Sequence, residues 1–264
     1  MTSASDLLDI ATEIAREAGD LAQRRRAEGV TIAATKSALA DIVTEADREV
    51  EDLIRQRLSV ARPADGFLGE ESGGRPTGAE ITWVVDPIDG TVNYAYGQPA
   101  YAVSIAAVAG EPDPESWTAL AGVVYCPPTG ELFRAAQGGG AWLGGQRLRV
   151  NDDAGPAGAL IGTGFGYDPA THEGTLDQIR RVMPLARDLR RGGAASLDLA
   201  SVAAGRLDAY YERGLQPWDH AAGALLVHEA GGVVSGSPGG RPGRRMTIAA
   251  APGLFERLSA LLDD

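Results

Sequence analysis

Two aspartates three residues apart follow a run of apolar residues near the middle of the first half of the chain. Asp86 and Asp89 belong to the sequence Asp-Pro-Ile-Asp-Gly-Thr, directly after the apolar stretch 81–85. A proline holds the residue before it in an extended conformation, and Gly90 permits a sharp turn. The two carboxylates are therefore expected at the end of a buried strand, with backbone N–H groups just beyond them. Carboxylates bind divalent cations and free N–H groups bind anions, so the pattern favours a metal ion bound together with a phosphate.

Further carboxylates lie beside glycine or tryptophan elsewhere in the chain. Glu70 belongs to the Gly-rich stretch 66–73, and Asp219 follows Trp218 at the start of a predicted helix. Two carboxylates about 4 Å apart repel each other by roughly 4 kcal/mol at an effective dielectric constant near 20. If these two converge with the central pair, the cluster needs protons or cations, and oxygen ligands select Mg²⁺, Mn²⁺ or Ca²⁺ over zinc. The sequence alone leaves the convergence open.

Other phosphate and nucleotide chemistries lack their motifs. Cys126 is the only cysteine, and Leu132 stands where a Cys-x5-Arg phosphate loop would have its arginine. The central aspartates are three residues apart and not two, so the Asp-x-Asp pattern of aspartyl-phosphate enzymes is not met. The chain contains no P-loop, no nucleophile elbow and no zinc-type histidine spacing. The carboxylates are what remains.

Charge and composition limit the possible partners. The 264 residues carry a formal net charge of -12, which argues against nucleic acid and against an anionic membrane surface. A charged N-terminus, and the lack of any stretch near the roughly 18 apolar residues of a membrane span, predict a soluble cytoplasmic protein. Lys36 is the only lysine among 24 basic residues. It is either a chance survivor of codon bias or a compact point charge that arginine cannot replace.

Hydrophobic periodicity predicts the elements that position these residues. Residues 6–27 and 44–58 have the apolar spacing of amphipathic helices, and Thr44 with Asp47 matches a helix N-terminal cap. A role in capping this helix would by itself explain why an aspartate stands at position 47. Mostly antiparallel strands follow, and strands alternate with helices after the Gly/Ala/Pro-rich stretch 151–158. These patterns predict an α+β subdomain at 1–150 and an α/β subdomain at 151–264.

Three motifs in this order resemble the signatures of the inositol monophosphatase family, and they lie at 69–72, 86–91 and 218–223. The segment 36–47 is similar to a further N-terminal motif of that family, and the similarity runs from about residue 10 to 260. The resemblance implies a layered αβαβα sandwich. It also implies Mg²⁺-dependent hydrolysis of a phosphate monoester, lithium sensitivity and a homodimer.

The resemblance further implies roles for individual residues. The metal ligands, for two Mg²⁺ ions with a third and weaker site near Glu70, would be Glu70, Asp86, the carbonyl of Ile88, Asp89 and Asp219. The residues that activate water would be Asp47, Glu70 and Thr91. The substrate contacts would be Lys36, the N–H groups of Gly90 and Thr91, Gly193, Ala194, Ala195 and Glu212. Close helix packing is the alternative explanation for the small residues 193–195.

The substrate within the family is less well determined. The sequence Val-Asn-Tyr after Thr91 resembles the inositol phosphatase branch, whereas phosphatases of 3′-phosphoadenosine or histidinol phosphate more often have a lysine there. Those two compounds and fructose 1,6-bisphosphate stay as alternative substrates. A non-catalytic binding or regulatory protein and a structural Ca²⁺ site are the alternatives from other classes. His220 departs from the family's usual apolar residue, and neither it nor the stretch 111–117 is given a role.

Overall fold

Two large β-sheets alternate with layers of helices in a computed structural model of the chain. The structure describes residues 2–30, 32–35, 42–74, 77–152, 154–155, 157–166, 169–236 and 239–262. Lys36, a predicted substrate contact, lies outside these ranges. Across the described residues the layers follow the order helix, sheet, helix, sheet, helix, so the αβαβα sandwich expected from the resemblance is confirmed.

The helices, in chain order, are α1 (Ala4–Glu28), α2 (Glu45–Ala61), α3 (Thr91–Tyr96), α4 (His172–Val182), α5 (Ala195–Ala203), α6 (Pro217–Glu229) and α7 (Pro252–Leu262). The strands are β1 (Ile32–Thr35), β2 (Ile42–Thr44), β3 (Gly66–Gly69), β4 (Gly73–Gly74), β5 (Ile81–Asp89), β6 (Ala102–Ala109), β7 (Thr118–Cys126), β8 (Glu131–Ala136), β9 (Gly140–Leu143), β10 (Gln146–Arg147), β11 (Ala159–Thr163), β12 (Ala186–Arg190), β13 (Ala209–Glu212), β14 (Val233–Ser235) and β15 (Thr247–Ala250). No helix in these ranges combines the length and apolar character needed to cross a membrane.

The first sheet has the strand order β10-β9-β8-β7-β6-β5-β3-β4 and is antiparallel except between β3 and β5. The prediction of a mostly antiparallel, helix-flanked first half is therefore confirmed. Side chains along β5 alternate between its two faces: Trp83 and Val85 pack with α1 and α2, and Val84 packs with the core on the side of α5 and α6. Burial on both faces explains why β5 reads as a continuous apolar run and not as an alternating one.

The second sheet has the order β12-β11-β13-β15-β14, in which β11 is parallel to both of its neighbours. α5 and α6 fill the space between the sheets, and α4 and α7 cover the outer face. Sequence patterns missed β12 and β14. The first is largely exposed and charged and the second has three residues, so neither carries a readable apolar pattern. Buried residues from both halves of the chain share one core, and the subdomain boundary at 151–158 stays a prediction.

The acidic motif is part of strand β5 and does not follow it. The strand was expected to end at Val85, but Asp86 still pairs with Ser104 and Asp89 with Ala102 of β6. The motif has one more residue than its partner between these pairs, which makes a β-bulge, and bulges often redirect side chains beside functional sites. The chain turns only at Gly90, whose φ is +89°.

Helix α6 approaches the first sheet closely at a glycine. A methyl group added at Gly122 of β7 would lie 3.0 Å from the Cα atom of Ala222 in α6. Such a distance is shorter than van der Waals contact, so the absence of a side chain at this position lets the two backbones pack together. Because α6 also carries Asp219, this contact fixes the depth at which that carboxylate lies.

We predict that Gly122→Val lowers the free energy of unfolding by about 1–3 kcal/mol, the usual cost of overfilling a packed core. Valine favours strands, so the loss would come from the contact with α6 and not from the backbone of β7. Urea denaturation measures it. Gly145→Ala is the control, since its added carbon meets no atom within 4 Å. Equal stability of the two variants would contradict the close approach.

Candidate active site

One cavity in the described structure brings together most of the predicted site residues. It lies where the end of β5 meets the beginnings of α3, α5 and α6. Its walls include Glu70, Asp86, Ile88, Asp89, Gly90, Thr91, Gly193, Ala194, Ala195, Glu212 and Asp219. The structure thus brings together residues that are up to 149 positions apart in the chain, from Glu70 to Asp219. Asp47 joins the site through Thr91.

Asp89 is held by the first turn of α5. Its Oδ1 accepts a hydrogen bond from the N–H of Ala195 at 3.2 Å, and its Oδ2 accepts one from the N–H of Ser196 at 2.7 Å. The Ser196 hydroxyl also donates to Oδ2. The backbone of Ala195, predicted to face the substrate, therefore also orients a predicted metal ligand.

Asp86 and Asp219 are each oriented by a nearby backbone N–H group. Asp86 Oδ1 accepts a hydrogen bond from the N–H of Ile88 at 3.1 Å, inside the bulge. Asp219 lies in the first turn of α6, as predicted, and its Oδ2 accepts one from the N–H of Gln216 at 2.7 Å. Ile88 lines the cavity together with both aspartates.

Asp47 caps its helix and also reaches the site. Its Oδ2 accepts a hydrogen bond from the N–H of Thr44 at 2.8 Å, which completes the predicted capping box of α2. Its Oδ1 lies 3.2 Å from Thr91 Oγ1, which is also 3.1 Å from the carbonyl oxygen of Ile88. The two explanations offered by the sequence are therefore compatible, since each oxygen of the carboxylate serves one of them.

Glu212, on the cavity wall, and Asp198, in α5, form a second acidic pair. The Tyr210 hydroxyl donates a hydrogen bond to Glu212, and a side chain at Gly164 would collide with the Glu212 carboxylate. Burial raises the pKa of Glu212 to about 7 and that of Asp198, in α5, to about 8. The charge of Asp89 contributes to both values, the hydrogen bond from Tyr210 opposes the rise at Glu212, and Arg191 opposes it at both acids.

The acids of the cavity resist ionisation. Burial is the main cause that raises the pKa of Asp86 well above its usual value, followed by the charges of Glu70, Asp89 and Asp219. Burial and then the charges of Asp89 and Glu70 raise the pKa of Asp219 in the same way. The pKa of Asp47 rises to about 6 through burial, against the opposing hydrogen bonds from Thr44. Each of these shifts would be reversed by a cation placed among the acids.

The donor chemistry fits a hard divalent cation. The four acids and the Ile88 carbonyl offer oxygen only, which suits Mg²⁺, Mn²⁺ or Ca²⁺. Within the described ranges, however, no three His, Cys, Asp or Glu side chains already form a closed ligand group. The charges of Glu70, Asp89 and Asp219 are nevertheless near enough to raise the pKa of Asp86.

His220 is a buried neutral residue of the core. It is 1% exposed, and burial lowers its pKa to about 4. Its ring lies 6.2 Å from that of Trp117, the buried end of the stretch that connects β6 to β7. His220 therefore packs in the core where an apolar residue was expected, and the buried Trp117 ring packs beside it.

The groups that hold the site residues in place were not predicted from the sequence, in which Asn93 was noted only as part of the Val-Asn-Tyr pattern. Asn93 Nδ2 donates to the carbonyls of Ala100 at 2.7 Å and Gly192 at 2.9 Å, which ties the start of α3 to the loop before α5. Ser196 and Asp198 were also not singled out. An acid between two leucines in an apolar helix was an available signal for Asp198, whereas Ser196 is recognisable only from its contact with Asp89.

The αβαβα layers and the acid-lined cavity define the chain as a layered-sandwich protein with a buried cluster of carboxylates. The chain belongs to the inositol monophosphatase family, whose model matches residues 3–263. The inositol-1-monophosphatase SuhB of Mycobacterium tuberculosis is 43% identical, over 97% of this chain and 93% of that protein. The Nus factor SuhB of Pseudomonas aeruginosa is 43% identical, over 87% of this chain and 84% of that protein. The crystal structure of the extragenic suppressor protein suhB from Bartonella henselae superimposes with a TM-score of 0.88 at 36% identity, covering 97% of this chain and 98% of that chain.

We predict that the free energy of unfolding of the metal-free protein falls as the pH rises from about 4 to about 8. The pKa moves from 3.8 to about 6 for Asp47 and from 3.8 to about 8 for Asp198 on folding. An acid with a raised pKa holds its proton longer in the folded state, so the folded state is favoured at low pH and loses that advantage as the pH rises. Urea unfolding at a series of pH values, in the presence of a chelator, measures the slope.

Asp198→Asn removes one of these titrations and should flatten the upper part of this pH dependence. Asp152→Asn is the matched control, because that side chain is 87% exposed and pairs with Arg149 at the surface. If Asp198→Asn shows the same slope as the wild type and the control, the burial of a protonated Asp198 is wrong.

Proposed function

We propose that the protein is a Mg²⁺-dependent phosphate monoester hydrolase that converts inositol 1-phosphate and water into inositol and phosphate. The observation that carries the proposal is the joint placement of Glu70, Asp86, Asp89 and Asp219 in one cavity beside the start of α3. Burying carboxylates that repel each other destabilises the fold unless bound cations neutralise them. Membership of the inositol monophosphatase family and the names of its relatives supply the substrate class.

The proposed metal ligands are Glu70, Asp86, the Ile88 carbonyl, Asp89 and Asp219, for two Mg²⁺ ions with a weaker third site near Glu70. Bound Mg²⁺ would lower the pKa of a coordinated water and offset the negative charge of the leaving oxygen. The chain's own task is to orient these oxygens. The N–H groups of Ile88, Ser196 and Gln216 do this for the three aspartates.

Thr91 and Asp47 form the proposed water-activating pair together with Glu70. While the Thr91 hydroxyl donates to Asp47 Oδ1, its lone pairs are available to accept a hydrogen bond from the attacking water. Because Thr44 fixes the other Asp47 oxygen, the pair keeps one orientation. Glu70 lines the same cavity and is the proposed second contact of this water. As the water oxygen attacks phosphorus and the ester P–O bond breaks, a water proton would pass to Thr91 Oγ1 while the Thr91 hydroxyl proton passes to Asp47 Oδ1, so no covalent enzyme intermediate forms.

The backbone N–H groups of Gly90 and Thr91 are the proposed phosphate contacts. Gly90 has φ +89°, and a side chain there would lie 2.9 Å from the carbonyl oxygen of Ala100 and 3.1 Å from that of Gly193. The glycine therefore brings the start of α3 close to the loop before α5. A phosphate held there would face the metal ligands across the cavity.

Glu212 and the small residues 193–195 are the proposed contacts for the hydroxyl groups of the sugar alcohol. The Tyr210 hydroxyl and the lack of a side chain at Gly164 fix the Glu212 carboxylate at the cavity wall. A carboxylate so placed accepts hydrogen bonds from ring hydroxyls, and the small residues leave room for a ring. We extend the proposal to a lithium-sensitive cytoplasmic homodimer with subdomains 1–150 and 151–264, on the strength of the family resemblance.

A regulatory role is the second candidate, and the name of one relative favours it. The Pseudomonas aeruginosa protein is named as a Nus factor, whereas the Mycobacterium tuberculosis protein carries a phosphatase name. The complete set of acids supports catalysis as the first choice, since a purely binding protein gains nothing from burying charges that repel. Folded wild-type protein that binds Mg²⁺ and hydrolyses no phosphate monoester would favour regulation instead.

The first test is a substrate panel with and without Mg²⁺ and Li⁺. We predict Mg²⁺-dependent phosphate release from inositol 1-phosphate with a kcat/KM at least about tenfold above that for the alternatives, a preference equivalent to about 1.4 kcal/mol. The alternatives are histidinol phosphate, fructose 1,6-bisphosphate and 3′-phosphoadenosine nucleotides. A clear preference for any of these would reject the proposed substrate and keep the reaction type.

The second test is Asp89→Asn. It keeps the shape of the side chain but removes one charge from the proposed metal site, so we expect kcat/KM to fall by about 10²–10³, in the range of other lost electrostatic contacts. Ser196→Ala is the matched control, because it removes only one of the hydrogen bonds to Asp89 and should cost less. Turnover by Asp89→Asn at the wild-type rate would overturn the assignment.

A further inference from the structure

Helix α2 carries a stripe of charged side chains that faces the turn holding Glu70. Asp47, Glu51 and Arg55 follow each other at intervals of four residues, which places them on one face of the helix. The turn joins β3 to β4 and contains Glu70, Glu71 and Ser72. Asp47 serves the cavity, but the proposed function gives no part to the other two members of the stripe.

Glu51 accepts hydrogen bonds from two consecutive N–H groups of this turn. Its Oε2 accepts from Glu71 at 2.8 Å, and its Oε1 accepts from Ser72 at 3.0 Å. Glu51 is 1% exposed, so these bonds are made out of contact with bulk water. Buried carboxylates are retained where backbone donors or opposite charges satisfy them, and this one uses both of its oxygens on the turn.

The surroundings of Glu51 keep its carboxylate in this place. A side chain at Gly69 would collide with the Glu51 carboxylate, so the glycine creates the space that it fills. Arg55 lies 3.9 Å from Glu51 Oε1, stacks over the Phe67 ring at 4.4 Å and donates to the Ser72 hydroxyl. Arg55 thus binds the end of the turn that Glu51 holds by its backbone.

The backbone of Glu70 itself is fixed from the opposite side. Its N–H donates to the carbonyl of Val85 in β5 at 3.2 Å. The three consecutive N–H groups of the turn are therefore all bound, the first by the sheet and the next two by Glu51. The backbone of Glu70 is thus fixed on both sides. Its side chain lines the cavity, where its charge repels that of Asp86.

We propose that Glu51 is a positioning residue that fixes the Glu70 turn and so sets the affinity of the site for Mg²⁺. The proposal rests on the proposed function, in which Glu70 is a metal ligand. One helix then supplies the site twice, with Asp47 at its first turn and Glu51 one turn later. Because no three acids within the described ranges already form a ligand group, a fixed turn spares the ion the cost of ordering Glu70 on binding.

The test variant is Glu51→Gln, which preserves the volume but offers a single acceptor oxygen for two N–H groups. We expect the Kd for Mg²⁺, measured by calorimetry, to rise by about 10–100-fold, the usual effect of changing a group that orients a ligand. At saturating Mg²⁺ kcat should stay within about threefold of the wild type, since Glu51 touches neither water nor substrate. Amide hydrogen exchange at Glu71 and Ser72 should become faster.

Glu49→Gln is the matched control, on the same helix with the same substitution. Glu49 pairs with Arg25 at the surface and is 44% exposed, so its change should leave the Kd and the exchange rates as they are. Arg55→Gln is the second variant, half-exposed and able to fold if Glu51→Gln does not. It should raise the Kd in the same direction by a smaller factor and speed exchange at Ser72.

Unchanged Mg²⁺ affinity and unchanged exchange in Glu51→Gln would overturn the proposal. If that variant does not fold, unchanged values in Arg55→Gln would do the same. Failure of the proposed function gives a different result, because wild-type protein would then release no phosphate from any monoester. Calorimetry and hydrogen exchange would still show whether Glu51→Gln changes the Mg²⁺ affinity and the mobility of the turn. If kcat falls as much as the Kd rises, and the fall persists at saturating Mg²⁺, Glu51 takes part in the chemistry and the positioning role is rejected.

Discussion

Repulsion among buried carboxylates is the constraint on which the rest of this structure depends. Asp86, Asp89 and Asp219 lie with Glu70 in one cavity, where burial raises the pKa of all three aspartates and repulsion from neighbouring acids adds to the rise for Asp86 and Asp219. Left alone, such a cluster would take up protons or push the elements of the fold apart. Backbone N–H groups that donate to the aspartates offset part of the repulsion. Bound cations would neutralise the negative charge that is left.

Helix beginnings are the main device that makes the cluster tolerable. Asp47 lies in the first turn of α2 and Asp219 in the first turn of α6, and Asp89 accepts two N–H groups from the start of α5. The positive end of each helix dipole therefore points at a carboxylate. Since these helices come from different layers of the sandwich, the close packing of sheets and helices, as at Gly122, also determines the geometry of the site.

The sequence predicted the parts of this site that leave a local pattern. The helix around Asp47 was predicted from its cap residues and apolar spacing, a helix was predicted to begin at Asp219, and the acid-glycine motifs located the cavity wall. What it could not predict is long-range partnership. Glu51 looks like any acid on an amphipathic helix, and Ser196 like any helix serine, until the fold places them against the Glu70 turn and Asp89. The bulge in β5 was missed because proline and glycine mark a turn without showing that β6 keeps pairing beyond it.

Proton release on Mg²⁺ binding tests this account most directly. Calorimetric titration with Mg²⁺ at pH 6.5, in two buffers of different ionisation enthalpy, counts the protons that leave the protein as the ion enters. If raised pKa values hold protons in the empty cluster, binding should release roughly one proton or more per chain, because bound carboxylates must be deprotonated. Binding without proton release would mean that the acids are already ionised and that their repulsion is not the constraint proposed here.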